Sequence, residues 1–211
     1  MSINIKEIAG VVLAGGLSTR MGGGNKCLLK IGKKTMLDYV IARASRQVSK
    51  LSINVNGENS AFESYNLPLI PDSVKGFVGP LGGILSGIEW AKKNFKEIKF
   101  VASFASDTPL FPENLIQRMG EMIQKNNANI AYAKSGARTH PVFGLWSVDL
   151  MEDLKRALIN DGVRKIDSWA KNYSLIEVPF TINDIDPFIN VNKPEDLIKI
   201  NKIFEENDIY Q

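Results

Sequence analysis

The stretch from Ile8 to Lys26, IAGVVLAGGLSTRMGGGNK, decides the reading of this chain. Its opening run, Ile8 to Ala14, is short, apolar on both faces and rich in β-branched residues, which suits a central parallel strand covered by helices on each side. It breaks at once into a loop carrying five glycines between Leu13 and Lys26. Glycines free a backbone to turn tightly and to bring amide N–H groups against an anion. A strand ending in such a loop predicts an α/β protein with a ligand at that edge.

The same alternation continues outward. Leu51 to Asn56, Leu67 to Ile70, Phe100 to Ser106, Ile130 to Ala133, Pro141 to Trp146 and Leu175 to Val178 read as further strands. Between them run helical periodicities: Met36, Leu37, Val40, Ile41, Ala44 and Val48; Leu81, Ile84, Leu85 and Ile88; Leu115, Met119, Met122 and Ile123. Helices are also expected over 148–159 and 163–172. A closing helix has Asn192 as its cap and Pro194 in its first turn. The pattern predicts a doubly wound, mostly parallel three-layer α/β sandwich, with an antiparallel excursion between Tyr132 and Trp146. The whole of 1–211 reads as one domain, with no internal repeat or linker.

Composition narrows the function. At 211 residues and 44% hydrophobic, the chain can bury a real core and is not disordered. Its net charge of +3 is too small a bias for a nucleic-acid-binding protein without a localised basic patch. Cys27 is the single cysteine and His140 the single histidine, so an internal disulfide and a multi-histidine metal centre are impossible. No run approaches the roughly 20 apolar residues of a membrane span, and the N-terminus has no signal-peptide pattern. The expected compartment is the cytoplasm.

Ligands of open α/β sheets bind beyond the carboxyl ends of the strands. Three segments are expected there: the first glycine loop, Asp107 and a second glycine loop, Gly79 to Gly83, ahead of its helix. Arg20 and Lys26 add the positive charge expected around a triphosphate. The loop matches neither GxxxxGK[ST] nor GxGxxG, so it is neither a Walker A loop nor a dinucleotide fingerprint. Asp107 reads either as a turn residue ahead of Pro109 or as a ligand of Mg²⁺, which is held by one or two carboxylates plus substrate phosphates.

The stretch GVVLAGGLSTRMGGGNK resembles the LAGGxSxRMGxDK signature of the MobA-like nucleotidyltransferases, and within them the molybdenum cofactor guanylyltransferases. The likeness continues at Asp72, at Gly79 to Gly83, at SDTPLFP (Ser106 to Pro112), at His140-Pro141-Val142 and at DPFINVNKPEDL (Asp186 to Leu197). It implies a Rossmann-like nucleotidyltransferase fold. It also implies GMP transfer from GTP to the terminal phosphate of molybdopterin-bound molybdenum cofactor, with Mg²⁺ as cofactor. By position, Leu13, Ala14 and Gly15 would contact the guanosine and Lys26 the phosphates. Asn54 and Asp72 would contribute to the nucleotide pocket, and Asp107 would hold Mg²⁺. Arg20 and Gly22 would shape the catalytic loop, with Arg20, Lys26 and Asp107 as the catalytic set. Arg164, Lys165, Asn190 and Asn192 would receive the acceptor. Asn25 stands where the family usually has Asp; as a loop cap its side-chain oxygen can substitute. Expected partners are cofactor-synthesis proteins and acceptor molybdoenzymes.

Base recognition is expected from backbone groups around Leu13 to Gly15 and Gly79 to Gly83. His140 reads as a structural histidine bonded to backbone or as a general base, although an ionised phosphate nucleophile needs no base. Cys27 reads as packing under the loop, and Trp90, Trp146 and Trp169 as core or cleft wall. Two other functions stay open: a CTP-dependent molybdopterin transferase or sugar-phosphate nucleotidyltransferase, and a non-catalytic nucleotide-binding adaptor.

Overall fold

The computed structural model describes residues 3–15, 25–57, 59–76, 78–207 and 209. Arg20 and Gly22 lie outside the described residues. In chain order the elements are β1 (Ile8–Leu13), a short hairpin of β2 (Lys30–Ile31) and β3 (Lys34–Thr35), α1 (Met36–Ser45), β4 (Lys50–Asn54), β5 (Leu69–Ile70), α2 (Pro80–Asn94), β6 (Phe100–Ala105), α3 (Leu115–Asn126), β7 (Ile130–Ser135), β8 (Arg138–Ser147), α4 (Met151–Ile159), α5 (Ile166–Ala170), β9 (Leu175–Phe180) and α6 (Pro194–Glu206).

Seven strands form one sheet in the order β5-β4-β1-β6-β8-β7-β9. Every neighbouring pair is parallel except the two made by β8, which is antiparallel to both β6 and β7. The expected excursion is therefore β8, running backwards in an otherwise parallel sheet. Its start lies at the edge where β1, β4 and β6 end. The register jumps there from Tyr132↔Gly144 to Ala133↔His140, so residues 141–143 of β8 face no partner in β7. Pro141 has no N–H to give a ladder, and a bulge is where a strand tolerates it.

Both faces of the sheet are covered, which is why β1 reads as apolar throughout. On one face Val12, Ile53 and Phe104 pack with Leu37 and Val40 of α1 and Leu115 and Met119 of α3. On the other, Val11, Val101 and Trp146 pack with Ile84 and Leu85 of α2, Leu154 of α4 and Trp169 of α5. A smaller cluster joins Ile200 and Phe204 of α6 to Ile31 and Tyr39. Among the described residues no helix is long and apolar enough to cross a membrane.

Three local expectations are revised. The second glycine segment is mostly helix: α2 begins at Pro80, capped by Gly79 at φ +67°, so Gly82 and Gly83 lie in its first turns. Asn192 does not cap the closing helix. Lys193 holds the cap position of α6, and the Asp196 carboxylate accepts the Asn192 and Lys193 backbone N–H groups at 2.9 Å each. The helix expected over 163–172 shortens to α5. Ahead of it, the Arg164 guanidinium turns back onto the carbonyls of Leu158 and Val163 at 2.9 and 2.8 Å, satisfying a free carbonyl at the end of α4.

Candidate active site

A cleft of about 910 Å³ opens at the carboxyl edge of the sheet. Its lining includes Leu13 at the end of β1 with Ala14 and Gly15 after it, Lys26, Asn54, Asp72, Gly79, Asp107, His140, and Asn190 with Asn192. Their chain separations are large, and the sheet brings them together at one edge, where β1, β4 and β6 end and β8 begins.

The centre of the cleft is built around Lys26. Its ammonium donates to Asp107 Oδ2 at 2.7 Å and to Asn192 Oδ1 at 2.7 Å. Both members of the ion pair keep about a fifth of their side-chain surface exposed, 18% for Lys26 and 20% for Asp107. Asp107 follows β6 directly, where the strand runs out of the core. The segment carrying Asn190 and Asn192 is tied to it through the Val191 N–H, which donates to the Asp107 carbonyl at 3.0 Å. The fully buried Thr108 hydroxyl lies 2.8 Å from Asn190 Oδ1 and 3.2 Å from Asp107 Oδ1. Asn192, expected as a helix cap, thus spends its side-chain oxygen on Lys26.

Toward β4 and β5 the cleft is shaped by Asn54, which is buried. Its Nδ2 donates to Asp72 Oδ1 at 2.9 Å and to the Ile70 carbonyl at 3.1 Å. α2 crosses so closely that a Cβ on Gly83 would stand 2.4 Å from Asn54 Oδ1 and 2.7 Å from Leu13 Cδ2. Gly83 is the residue that lets the helix pass. The Ala14 N–H is already given to the Asn54 carbonyl at 2.9 Å, so it is not one of the backbone groups left for a base.

Sequence reasoning missed Asn56, whose Oδ1 accepts the Asp72 backbone N–H at 2.8 Å. Its place two residues after Asn54, on the same face of an extended segment, is a signal that could have found it. Lys75, Arg138, Thr139 and Phe143 also line the cleft without having been singled out. Arg164 and Lys165 are not among the lining residues. The Arg164 carbonyl lies 3.3 Å from where a Cβ on Gly79 would be, so this segment packs behind the mouth of α2.

Cys27 is buried at the cleft wall, and burial pushes its thiol up to about 11, opposed by a hydrogen bond with Ser106. His140 is buried too, but its partner is a side chain rather than backbone: Nε2 lies 2.7 Å from Ser135 Oγ. Its ring stacks on Phe188 with centroids 4.5 Å apart. Trp146 and Trp169 are core residues of the face covered by α2, α4 and α5.

The donor set at Asp107 is carboxylate and amide oxygen, the hard chemistry that Mg²⁺ takes. Among the described residues no group of three or more His, Cys, Asp or Glu could enclose a metal. A single carboxylate facing an open cleft fits an ion that completes its shell with phosphate oxygens and water.

A family model for the MobA-like NTP transferase domain matches residues 10–173. The chain is 41% identical over 203 residues to a molybdenum cofactor guanylyltransferase from Nitrobacter hamburgensis, covering 96% of this chain and 97% of that one. It is 38% identical to one from Bradyrhizobium sp., covering 95% of each. In fold it is similar to molybdopterin-guanine dinucleotide biosynthesis protein A from Archaeoglobus fulgidus, with TM-score 0.72 at 21% identity, covering 94% and 99%. It is similar also to a nucleotidyl transferase from Methanothermobacter, with TM-score 0.71 at 18% identity, covering 95% and 99%. The chain belongs to the MobA-like NTP transferase family.

Proposed function

We propose that this chain transfers GMP from GTP to the terminal phosphate of molybdopterin-bound molybdenum cofactor, in the cytoplasm, giving the guanine dinucleotide cofactor and pyrophosphate. The observation that carries the reading is the meeting of Lys26 and Asp107 at 2.7 Å on the wall of one cleft with the Leu13–Gly15 turn. Relatives named for this activity over nearly the full chain support GTP as the nucleotide.

In the proposed step an ionised oxygen of the acceptor phosphate attacks the α-phosphorus of GTP in line. The new P–O bond forms as the bond from the α-phosphorus to the α,β-bridging oxygen breaks, and pyrophosphate departs with that electron pair. The nucleophile is already deprotonated, so no general base is needed. Both reactants are anions, so positioning and charge neutralisation supply most of the acceleration. Lys26, held between Asp107 and Asn192, is aimed at the phosphates with its charge fixed in place. Asn54 holds Asp72 at the nucleoside end. Arg20 and Gly22 are assigned to the catalytic loop by the family resemblance. Asp107 would hold Mg²⁺, which when bound neutralises phosphate charge as a Lewis acid. Asn190 and Asn192 are assigned to the acceptor side, with Arg164 and Lys165 behind it. Cofactor-synthesis proteins and acceptor molybdoenzymes are the proposed partners.

The test is pyrophosphate release with each of the four NTPs, Mg²⁺ and molybdopterin, with and without chelator. Release with GTP alone, lost on chelation, is expected. Release with CTP, or with a sugar phosphate as acceptor, would move the assignment to another nucleotidyltransferase. GTP binding without release would make the chain an adaptor.

A further inference from the structure

At the opposite side of the cleft from Asn54, a hydrogen-bonded chain fixes the only histidine in the sequence. Ser135 Oγ, at the end of β7, lies 3.2 Å from Asp186 Oδ2 and 2.7 Å from His140 Nε2. A hydroxyl has one proton, and an ionised carboxylate can only accept. Ser135 therefore donates to Asp186 and must accept from His140, which puts the ring proton on Nε2. Asp186 is itself anchored, since its Oδ1 accepts the Phe188 N–H at 3.0 Å. Phe188 in turn stacks against the imidazole at 19° between ring planes.

With its one proton committed to Nε2, the neutral ring carries a bare Nδ1. Among the described residues nothing donates to that atom. Nor is it enclosed: among the described residues the buried side-chain atom left unpaired is Trp169 Nε1, in the core on the other face of the sheet. His140 lines the cleft, on the bulged start of β8 beside Val142 and Phe143. The sheet order sets what comes near it. Asn54 and Asp72 lie by β4 and β5, Lys26 and Asp107 by β1 and β6, and His140 on β8, beyond the phosphates from the nucleoside end.

We propose that His140 is a specificity residue for the acceptor substrate, its tautomer set by Asp186 and Ser135 so that Nδ1 accepts a hydrogen bond from an N–H group of the acceptor's heterocycle. This rests on the nucleotidyl-transfer reading above and adds to it the residue that reads the acceptor's N–H-bearing ring. Burial holds the His140 ring below its ordinary range, Asp186 opposing and Arg138 reinforcing, which keeps it neutral and able to accept.

Because the chain has one histidine, ¹⁵N-labelled imidazole reports both ring nitrogens without assignment. The free protein is expected to show a protonated Nε2 and a bare Nδ1. Adding molybdopterin should move the Nδ1 signal, and adding GTP alone should leave it in place. In turnover, H140F keeps a ring to stack on Phe188 and should raise the acceptor KM about tenfold with the GTP KM unchanged, the usual effect of leaving a ligand donor unpaired. H140N, whose side-chain oxygen falls near the place of Nδ1, should recover most of that loss. A proton on Nδ1, or an Nδ1 signal indifferent to molybdopterin, overturns the proposal even if H140F fails to fold. So does an unchanged acceptor KM in a folded H140F. A wild-type protein that binds no GTP would count against the nucleotidyl-transfer reading, while the response of Nδ1 to molybdopterin would still decide the role of His140.

Discussion

The Lys26 ammonium meets the Asp107 carboxylate at 2.7 Å across 81 positions of chain, so removing either one leaves the other without its ion-pair partner. Removing Asp107 releases Lys26 as well as any ion the carboxylate holds. Asp107→Ala should lower turnover by about 10²-fold or more, the usual cost of one lost electrostatic stabiliser. Lys26→Ala should act similarly, and the double variant should lose much less than the product of the two. Because the pair is partly exposed, its loss should cost no more than about 1 kcal/mol of stability. Steady-state kinetics and thermal melts on the three variants check both statements.

Gly83→Ala tests the close passage of α2 over Asn54. The added methyl would stand 2.4 Å from Asn54 Oδ1, and that side chain cannot yield without giving up Asp72. A loss of about 1–3 kcal/mol of stability is expected from the overpacking, together with weaker GTP binding by calorimetry. Gly136→Ala, whose Cβ would sit 3.5 Å from the Ile182 side chain at a left-handed turn, should leave GTP binding intact even where it costs stability.

His140 gives the fold a specific acid sensitivity. Burial lowers its folded-state value below the ordinary 6.5, with Asp186 opposing and Arg138 adding to the shift. The unfolded chain therefore takes up the proton first. Its contribution to stability is present above about 6.5 and is lost as pH falls toward the folded value. Melting temperatures of wild type and H140N should converge between pH 6.5 and 5 from a gap seen at pH 8. A gap that widens on acidification would contradict the sign.

Cys27 should be nearly inert in the native protein. With its thiol raised from 9.0 to about 11, the thiolate fraction at pH 7.5 falls roughly a hundredfold, before access is considered. Alkylation by iodoacetamide should be slow in buffer and fast in denaturant, followed by mass spectrometry. Rapid native labelling would mean that the thiol reaches the cleft as a nucleophile.

Much of this architecture was legible one segment at a time. The apolar runs at Ile8–Ala14 and Phe100–Ser106 carry no polar face, so each requires a covered parallel strand, and the glycine-rich break and Asp107 follow from where such strands end. The antiparallel excursion between Tyr132 and Trp146 also showed, as the one region that departs from the strand–helix alternation. Local signals failed where a residue serves a distant partner. Asn192 has the chemistry and position of a cap, yet tertiary structure gives its oxygen to Lys26, 166 positions away.

The sequence by itself determined the strand–helix alternation, the covered strands and the family, because these rest on side-chain periodicity and on motifs read along the chain. Only the tertiary structure decided which side chains meet: Asn54 with Asp72, Asn192 with Lys26, and Ser135 between His140 and Asp186. Hydrogen-bond partnership depends on ångström separations between residues far apart in the chain. Those separations are set by strand order and by how closely α2 can cross β4, neither of which is written in any one segment.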